Sequence, residues 1–243
     1  MIKQAVILCA GLGTRLRPYT DTMPKPMIPI LGKPMLEWHI MQFKKYGVQE
    51  FFINLHYLPD VITDYFGDGS RWGVKIHYHF EPEILGTAGG VKSFEKMLDD
   101  SFFLIYGDTF SLVDYGRMED AWNEKKCAIG MQRMTKTEHY DDADVAEIDQ
   151  NEKFIAVHPK PHSRTYSNAY RMRGIFILQK EILADVPSEK YYEIGRQLLP
   201  NILFRGELFY AYECIDYSKG IDTFEKWKEV EEYLRKNPSF LTF

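Results

Sequence analysis

The order of apolar runs along the first half of the chain narrows the choice of fold more than any other feature. "AVILC" (Ala5–Cys9), "EFFINL" (Glu50–Leu55), "VKIHYHF" (Val74–Phe80), "SFFLIYGD" (Ser101–Asp108) and "CAIGMQ" (Cys127–Gln132) read as strands. Between them lie segments with helical spacing. In "PMLEWHIMQFKKYG", Leu36, Ile40 and Phe43 share one face, Pro34 suits a helix start and Gly47 a stop. "LPDVITDYFGDG", "GGVKSFEKML" and "YGRMEDAWNEK" read as further helices. Strands that alternate with helices predict an α/β fold with a mainly parallel central sheet covered on both faces. After about residue 135 the pattern shifts to strands with short helices between them ("DVAEID", "FIAVH", "RGIFILQ", "ELFYAYE"). A polar-faced helix, "TFEKWKEVEEYLRK", follows. The expectation is one domain over 1–243, with an alternating strand–helix half at about 1–135 and a smaller mixed half at about 136–243.

Composition narrows the function classes. The net charge of -5 gives no general attraction to nucleic acid or an anionic membrane, so any anion site must be local. The three cysteines (Cys9, Cys127, Cys214) form no CxxC pair, which fits a reducing compartment and no disulfide scaffold. No signal peptide and no spanning run of about 20 apolar residues is visible. These readings predict a cytoplasmic, soluble protein with no nucleic-acid or membrane partner. His39, His56, His77 and His79 lack carboxylates at ligand spacing and read as structural or surface residues.

The first strand runs into "AGLGTRLRPYTDTMPKP" (residues 10–26), where positive charge is concentrated. In an open α/β sheet, ligands sit beyond the carboxyl ends of the strands, where this loop begins. Gly11 and Gly13 permit positive φ and close approach of backbone N–H groups to an anion. Arg15 and Arg17 supply forked donors for phosphate oxygens, and Lys25 adds a charge held between Pro24 and Pro26. A dinucleotide fingerprint fails because Leu16 stands where the third glycine belongs, and a P-loop fails because G-K-[ST] is absent.

The whole string "LCAGLGTRLRPYTDTMPKPM" resembles the signature of the sugar-1-phosphate nucleotidylyltransferases, L-x-G-G-x-G-T-R-L-x-P-x-T-x-x-x-P-K-P, with Ala10 for the first glycine. "LGTAGGV" (Leu85–Val91), "YGDT" (Tyr106–Thr109) and "PKP" (Pro159–Pro161) resemble further family segments in the same order. The resemblance implies a Rossmann-like three-layer nucleotidyltransferase fold, with a nucleotide-binding half at about 1–135 and a sugar-phosphate-binding half at about 136–243. It also implies transfer of a nucleoside monophosphate from an NTP to a sugar 1-phosphate, with Mg²⁺ as cofactor. Arg15 and Lys25 take the catalytic roles in that picture. Ala10, Gly11, Gly13, Thr14, Gly86, Thr87 and Ala88 would contact the nucleotide, and Gly89, Lys160 and Gly174 the sugar phosphate.

Asp108 and Asp222 would hold the metal. Asp222 carries two readings. The ending "YSKGIDTFE" puts Gly220 where relatives show aspartate and Asp222 where they show glycine, so Asp222 stands as the replacement ligand. Asp222 with Glu225 also reads as a capping-box start to the last helix. The chain is most similar to short guanylyltransferases acting on mannose or manno-heptose 1-phosphate, so the expectation is a form without the left-handed β-helix domain of longer relatives. Cytidylyl, uridylyl and thymidylyl transfer stay open. So does a non-catalytic sugar-nucleotide-binding subunit. Oligomeric state is open too, a homodimer being the form short relatives often take.

Overall fold

A computed structural model describes residues 1–137, 143–162, 165–166 and 169–241. The chain divides into two compact units. The first comprises Met1–Ile84, Ile105–Tyr115 and Asp216–Phe243, and the second Leu85–Leu104 and Gly116–Ile215.

The first unit begins with β1 (Gln4–Leu8), followed by the short strands β2 (Pro29–Ile30) and β3 (Lys33–Pro34) and helix α1 (Met35–Lys45). Then come β4 (Glu50–Leu55), α2 (Pro59–Phe66) and β5 (Lys75–Phe80). β1 pairs in parallel with β4, with Leu8 opposite Asn54, and β4 pairs in parallel with β5. α1 starts where Pro34 leaves the extended region and carries Lys44 and Lys45 in its last turn, where cations suit the helix dipole. Val6, Ile7, Phe51, Phe52 and Ile53 are fully buried, as the continuous apolar runs predict for strands covered on both faces.

The second unit opens with α3 (Gly86–Lys92) and β6 (Ser101–Tyr106), whose last two residues belong to the first unit. In the first unit β6 is followed by β7 (Thr109–Ser111); α4 (Tyr115–Glu124) then leads back into the second. There the chain forms β8 (Ala128–Lys136), β9 (Val145–Ile148), β10 (Phe154–His158), β11 (Ala169–Gln179), α5 (Leu199–Phe204) and β12 (Leu208–Glu213). β10–β9, β9–β11 and β11–β8 pair antiparallel, and β8–β12 pair in parallel. Back in the first unit, β13 (Ser218–Gly220) pairs antiparallel with β7, and α6 (Phe224–Lys236) ends the fold.

Two local outcomes differ from the sequence reading. The helix expected over Gly89–Leu98 runs instead over Gly86–Lys92, so the "GTAGG" stretch is itself helical and Glu95–Met97 forms a separate 3₁₀ turn. The cap of α6 is Thr223, not Asp222: Thr223 is extended and its Oγ1 accepts the Lys226 N–H at 3.4 Å. A hydroxyl one residue closer to the helix takes the capping bond, which leaves the Asp222 carboxylate for other partners.

The return of 216–243 to the first unit fixes what comes next. Leu16, Ile28, Trp38, Phe110, Ile221 and Leu234 belong to one buried cluster. Leu16 follows Arg15 and Ile221 precedes Asp222, so apolar packing sets where both charged side chains emerge.

Candidate active site

In the first unit, the segment after β1 turns at Gly13, the left-handed residue that precedes a short 3₁₀ turn over Thr14–Leu16. Its φ is +64°, and a Cβ there would stand 3.1 Å from both Lys25 Cβ and Thr20 Cγ2. Conformation and space therefore both call for glycine at 13. Gly11 differs: its φ is not positive, and a Cβ would meet nothing within 4 Å. Thr20, buried and unremarked in the sequence, donates from Oγ1 to the Gly13 carbonyl at 2.9 Å and holds the turn. Ala10 is buried, while Gly11, Thr14 and Arg15 are exposed.

Two ion pairs organise the charged groups. Arg15 Nη1 lies 2.6 Å from Asp222 Oδ2, and Lys25 Nζ lies 2.7 Å from Asp108 Oδ2. The Ile221 N–H donates to the Asp108 carbonyl at 2.8 Å, directly beyond the β13–β7 ladder, and this bond sets the two aspartates beside each other. Lys25 is held firmly, its side chain only 10% exposed, whereas Arg15 is 66% exposed. Lys226, which the sequence reading did not single out, places Nζ 2.7 Å from Asp222 Oδ1. It stands in the first turn of α6, where a cation opposes the helix dipole, so its local partner is the carboxylate. Burial would push the Asp222 carboxyl up, but Lys226, then Arg15 and Lys25, outweigh it and hold it below the usual carboxylate range.

The strand end that carries Asp108 is tightly fixed. The Gly107 N–H donates to the Leu8 carbonyl at 2.8 Å, and a Cβ at 107 would stand 2.6 Å from that same oxygen. His39, on α1, hydrogen-bonds the Gly107 backbone. Burial lowers its pKa to about 4, against that bond and the nearby Asp108 charge. Among the described residues no three metal-ligating side chains gather. The pair Asp108 and Asp222 nevertheless offers hard oxygen donors of the kind a Mg²⁺-type cation takes, since such a cation draws most of its ligands from phosphate and water.

In the second unit, the "LGTAGG" segment clasps residues 190–194. The Ala88 and Gly89 N–H groups both donate to the Tyr192 carbonyl, at 2.9 and 3.1 Å. Thr87 Oγ1 accepts the Ile194 N–H at 2.8 Å. Gly86 has φ +73° and leaves no space, because a Cβ would stand 2.8 Å from the Tyr192 carbonyl oxygen. At Gly89 a Cβ would stand 2.7 Å from the Lys190 carbonyl. These glycines are thus required by close backbone packing, and the partner segment 190–194 carries no motif by which it could have been foreseen.

Lys160 follows β10. Its N–H donates to Asp144 Oδ1 at 3.0 Å, and its carbonyl accepts from Arg196 Nη2 at 3.2 Å. Gly174 lies in β11 where the register with β8 slips between Met172 and Phe176. The buried Gln132 fills that irregularity by donating to the Arg173 carbonyl at 2.6 Å. Next to Lys160, His158 Nε2 lies 2.7 Å from Glu147 Oε1.

The sequence pattern of the nucleotidyl transferase family matches residues 4–232. The chain belongs to the nucleotidyl transferase family. It is 33% identical over 239 residues to a D-glycero-alpha-D-manno-heptose 1-phosphate guanylyltransferase from Aneurinibacillus thermoaerophilus, covering 95% of this chain and 100% of that protein. It is 34% identical over 246 residues to a UTP--glucose-1-phosphate uridylyltransferase from Synechocystis sp., covering 93% of this chain. The match spans only 63% of that relative's length. Among solved structures, HddC from Yersinia pseudotuberculosis complexed with GMP-PN superposes with a TM-score of 0.78 at 25% identity, covering 96% of this chain and 100% of that one. The fold is therefore the Rossmann-like α/β fold of the nucleotidyltransferases. No helix among the described residues is long and apolar enough to cross a membrane.

Proposed function

We propose that this protein transfers a nucleoside monophosphate from an NTP to a sugar 1-phosphate and releases pyrophosphate. The substrates favoured are GTP and a mannose or manno-heptose 1-phosphate. One observation carries the reading: two of the three cations of the glycine loop, Arg15 and Lys25, are each already oriented by a carboxylate of the adjacent pair Asp222 and Asp108. Phosphates can take the place of those carboxylates without the cations having to be gathered first.

The chemistry asks for little more than that. The attacking oxygen of a sugar phosphate is already anionic, so no strong general base is required. The obstacle is bringing several negative charges together, and catalysis consists of positioning and charge neutralisation. Arg15 would neutralise the departing pyrophosphate, and Lys25 would bridge toward the α-phosphate. Backbone N–H groups from Ala10 to Thr14 would cradle the β- and γ-phosphates, with Gly11 leaving the backbone open to close approach. Gly86, Thr87 and Ala88 would pass near the nucleoside, with Gly89, Lys160 and Gly174 near the sugar phosphate. Asp108 and Asp222 would hold Mg²⁺, which supplies additional neutralisation of phosphate charge when bound.

The preference for a guanine nucleotide draws support from the Aneurinibacillus relative, which is matched over its whole length, and from HddC with GMP-PN. The Synechocystis relative favours a second reading, UTP with glucose 1-phosphate. Pyrophosphate release measured with each of four NTPs against mannose, manno-heptose and glucose 1-phosphates decides between them. The first reading requires the highest kcat/KM with GTP and a manno-configured acceptor. Preference for UTP and glucose 1-phosphate would replace it with the second.

A further inference from the structure

Asn54 ends the ladder between β1 and β4, a buried polar residue in a strand whose other buried side chains are apolar. Its Oδ1 accepts the Cys9 N–H at 2.7 Å, and its Nδ2 donates to Glu81 Oε1 at 2.7 Å. The Cys9 N–H can only donate, so it fixes which way round the amide stands. Cys9 is the first residue past β1 and the last before "AGLGT". Glu81 is the first residue past β5 and is fully buried. The backbone of Glu81 is tied down as well. Its N–H donates to the Leu55 carbonyl at 2.8 Å, and its own carbonyl lies 2.7 Å from His56 Nδ1.

One relay, Glu81 to Asn54 to Cys9, thus joins the carboxyl ends of three parallel strands. Pairing of the strands does not itself need a polar side chain at 54; the buried Cys9 N–H does need an acceptor, and burying an amide and a carboxylate to supply it carries a desolvation cost unless both are bonded. What the relay adds is a fixed direction for the chain at the residue where it leaves β1 for the glycine loop. We infer that Asn54 is a positioning residue for nucleotide binding: it sets the backbone from Cys9 into the 10–14 loop, and Glu81 locks its amide for that purpose. The inference rests on the reading of that loop as the phosphate cradle.

The relay can be run backwards, which supplies the test. N54D keeps an oxygen for the Cys9 N–H but sets a carboxylate against Glu81. In N54D/E81Q the direction reverses, because the glutamine amide donates to the aspartate and the aspartate still accepts from Cys9. A lost buried hydrogen bond corresponds to about a tenfold change. N54D should therefore raise the KM for GTP about tenfold and leave the KM for the sugar phosphate within about twofold. The double variant should return to within about threefold of wild type. Amide hydrogen exchange across residues 9–14 should be faster in N54D and restored in the double variant.

Normal GTP KM and normal exchange in N54D would overturn the inference, as would a double variant no better than N54D. Equal rises in both KM values would mark the relay as general scaffolding and also overturn it. If N54D does not fold, E81L, which leaves the amide unlocked, is read by the same two measurements, and wild-type values there count against the proposal. The exchange measurement needs no turnover. An enzyme that releases no pyrophosphate with any substrate pair would remove the proposed function while leaving the relay itself on trial.

Discussion

The aspartate at 222 gives the sharpest division between a catalytic and a structural reading, because the structure moves the helix cap one residue away. Asp222→Asn removes the charge that faces Arg15 and Lys226. Arg15 is two-thirds exposed, so solvent screens that pair, and the stability lost should not exceed about 1 kcal/mol. In a domain of this size that is a fall in Tm of about 2–4 °C. The chemical loss should be much larger. The substituted amide supplies no anionic oxygen to a hard cation, and Arg15 loses the partner that orients it. Loss of even an outer partner of a metal site costs about 10–100-fold, so a direct ligand should cost at least about 100-fold in kcat.

Thr223→Ala provides the contrast. It removes the N-cap bond, which at 3.4 Å is long, so the cost should fall near the lower end of the cap range, about 0.5–1 kcal/mol. Turnover should remain normal. The assay is pyrophosphate release at a series of Mg²⁺ concentrations, with thermal melts of both variants. Asp222→Asn should regain part of its activity as Mg²⁺ rises. An Asp222→Asn enzyme within about threefold of wild type, or a Thr223→Ala enzyme equally impaired, would refute the assignment.

Arg15→Ala should lower kcat by the equivalent of about 2–4 kcal/mol of barrier with little change in Tm, as read by steady-state rates and a melt; unchanged turnover removes Arg15 from the mechanism. Lys160→Ala should raise the KM for the sugar phosphate more than that for the NTP, and an unchanged sugar-phosphate KM would leave Lys160 as a surface lysine. Burial alone would raise the Glu50 pKa, but bonds from His77, Gln4 and Lys75 hold it at about 2, below its ordinary 4.5. A carboxylate with a depressed folded pKa stabilises above the unfolded value, and that contribution is lost as pH falls through the folded one. Denaturation from pH 7 to 2 should show wild type losing its advantage over Glu50→Gln between about pH 4.5 and 2, and parallel curves would exclude the effect.

Most of the parallel strands and helices were legible because their signals are local: apolar runs of strand length, proline at a helix start, glycine at a stop. β1, β4, α1 and α6 fall within one or two residues of their expected ends. The charged loop was legible because a net-acidic chain gathers two arginines and a lysine around glycines. What was not legible depends on distant parts of the chain meeting. Nothing near residue 216 signals that 216–243 packs with the first 84 residues, yet that packing brings Asp222 to Arg15. Gly86 and Gly89 were expected to contact substrate on the resemblance alone, and their close packing on the backbone of 190–192 had no local signal. Asp222 as a cap was the natural local reading, but Thr223 one position later has the extended backbone that a cap requires.

The central claim is transfer of a nucleotidyl group to a sugar phosphate rather than hydrolysis of the nucleotide. Phosphorus-31 NMR of wild-type enzyme with GTP, mannose 1-phosphate and Mg²⁺ tests it most directly, because each phosphorus is followed by its own resonance. The account predicts loss of the three GTP signals and of the sugar monoester signal, with equal growth of a sugar-diphosphate pair and of pyrophosphate. Growth of GMP or GDP while the sugar monoester signal stays constant, with the same outcome for the other NTPs and sugar 1-phosphates, would contradict it.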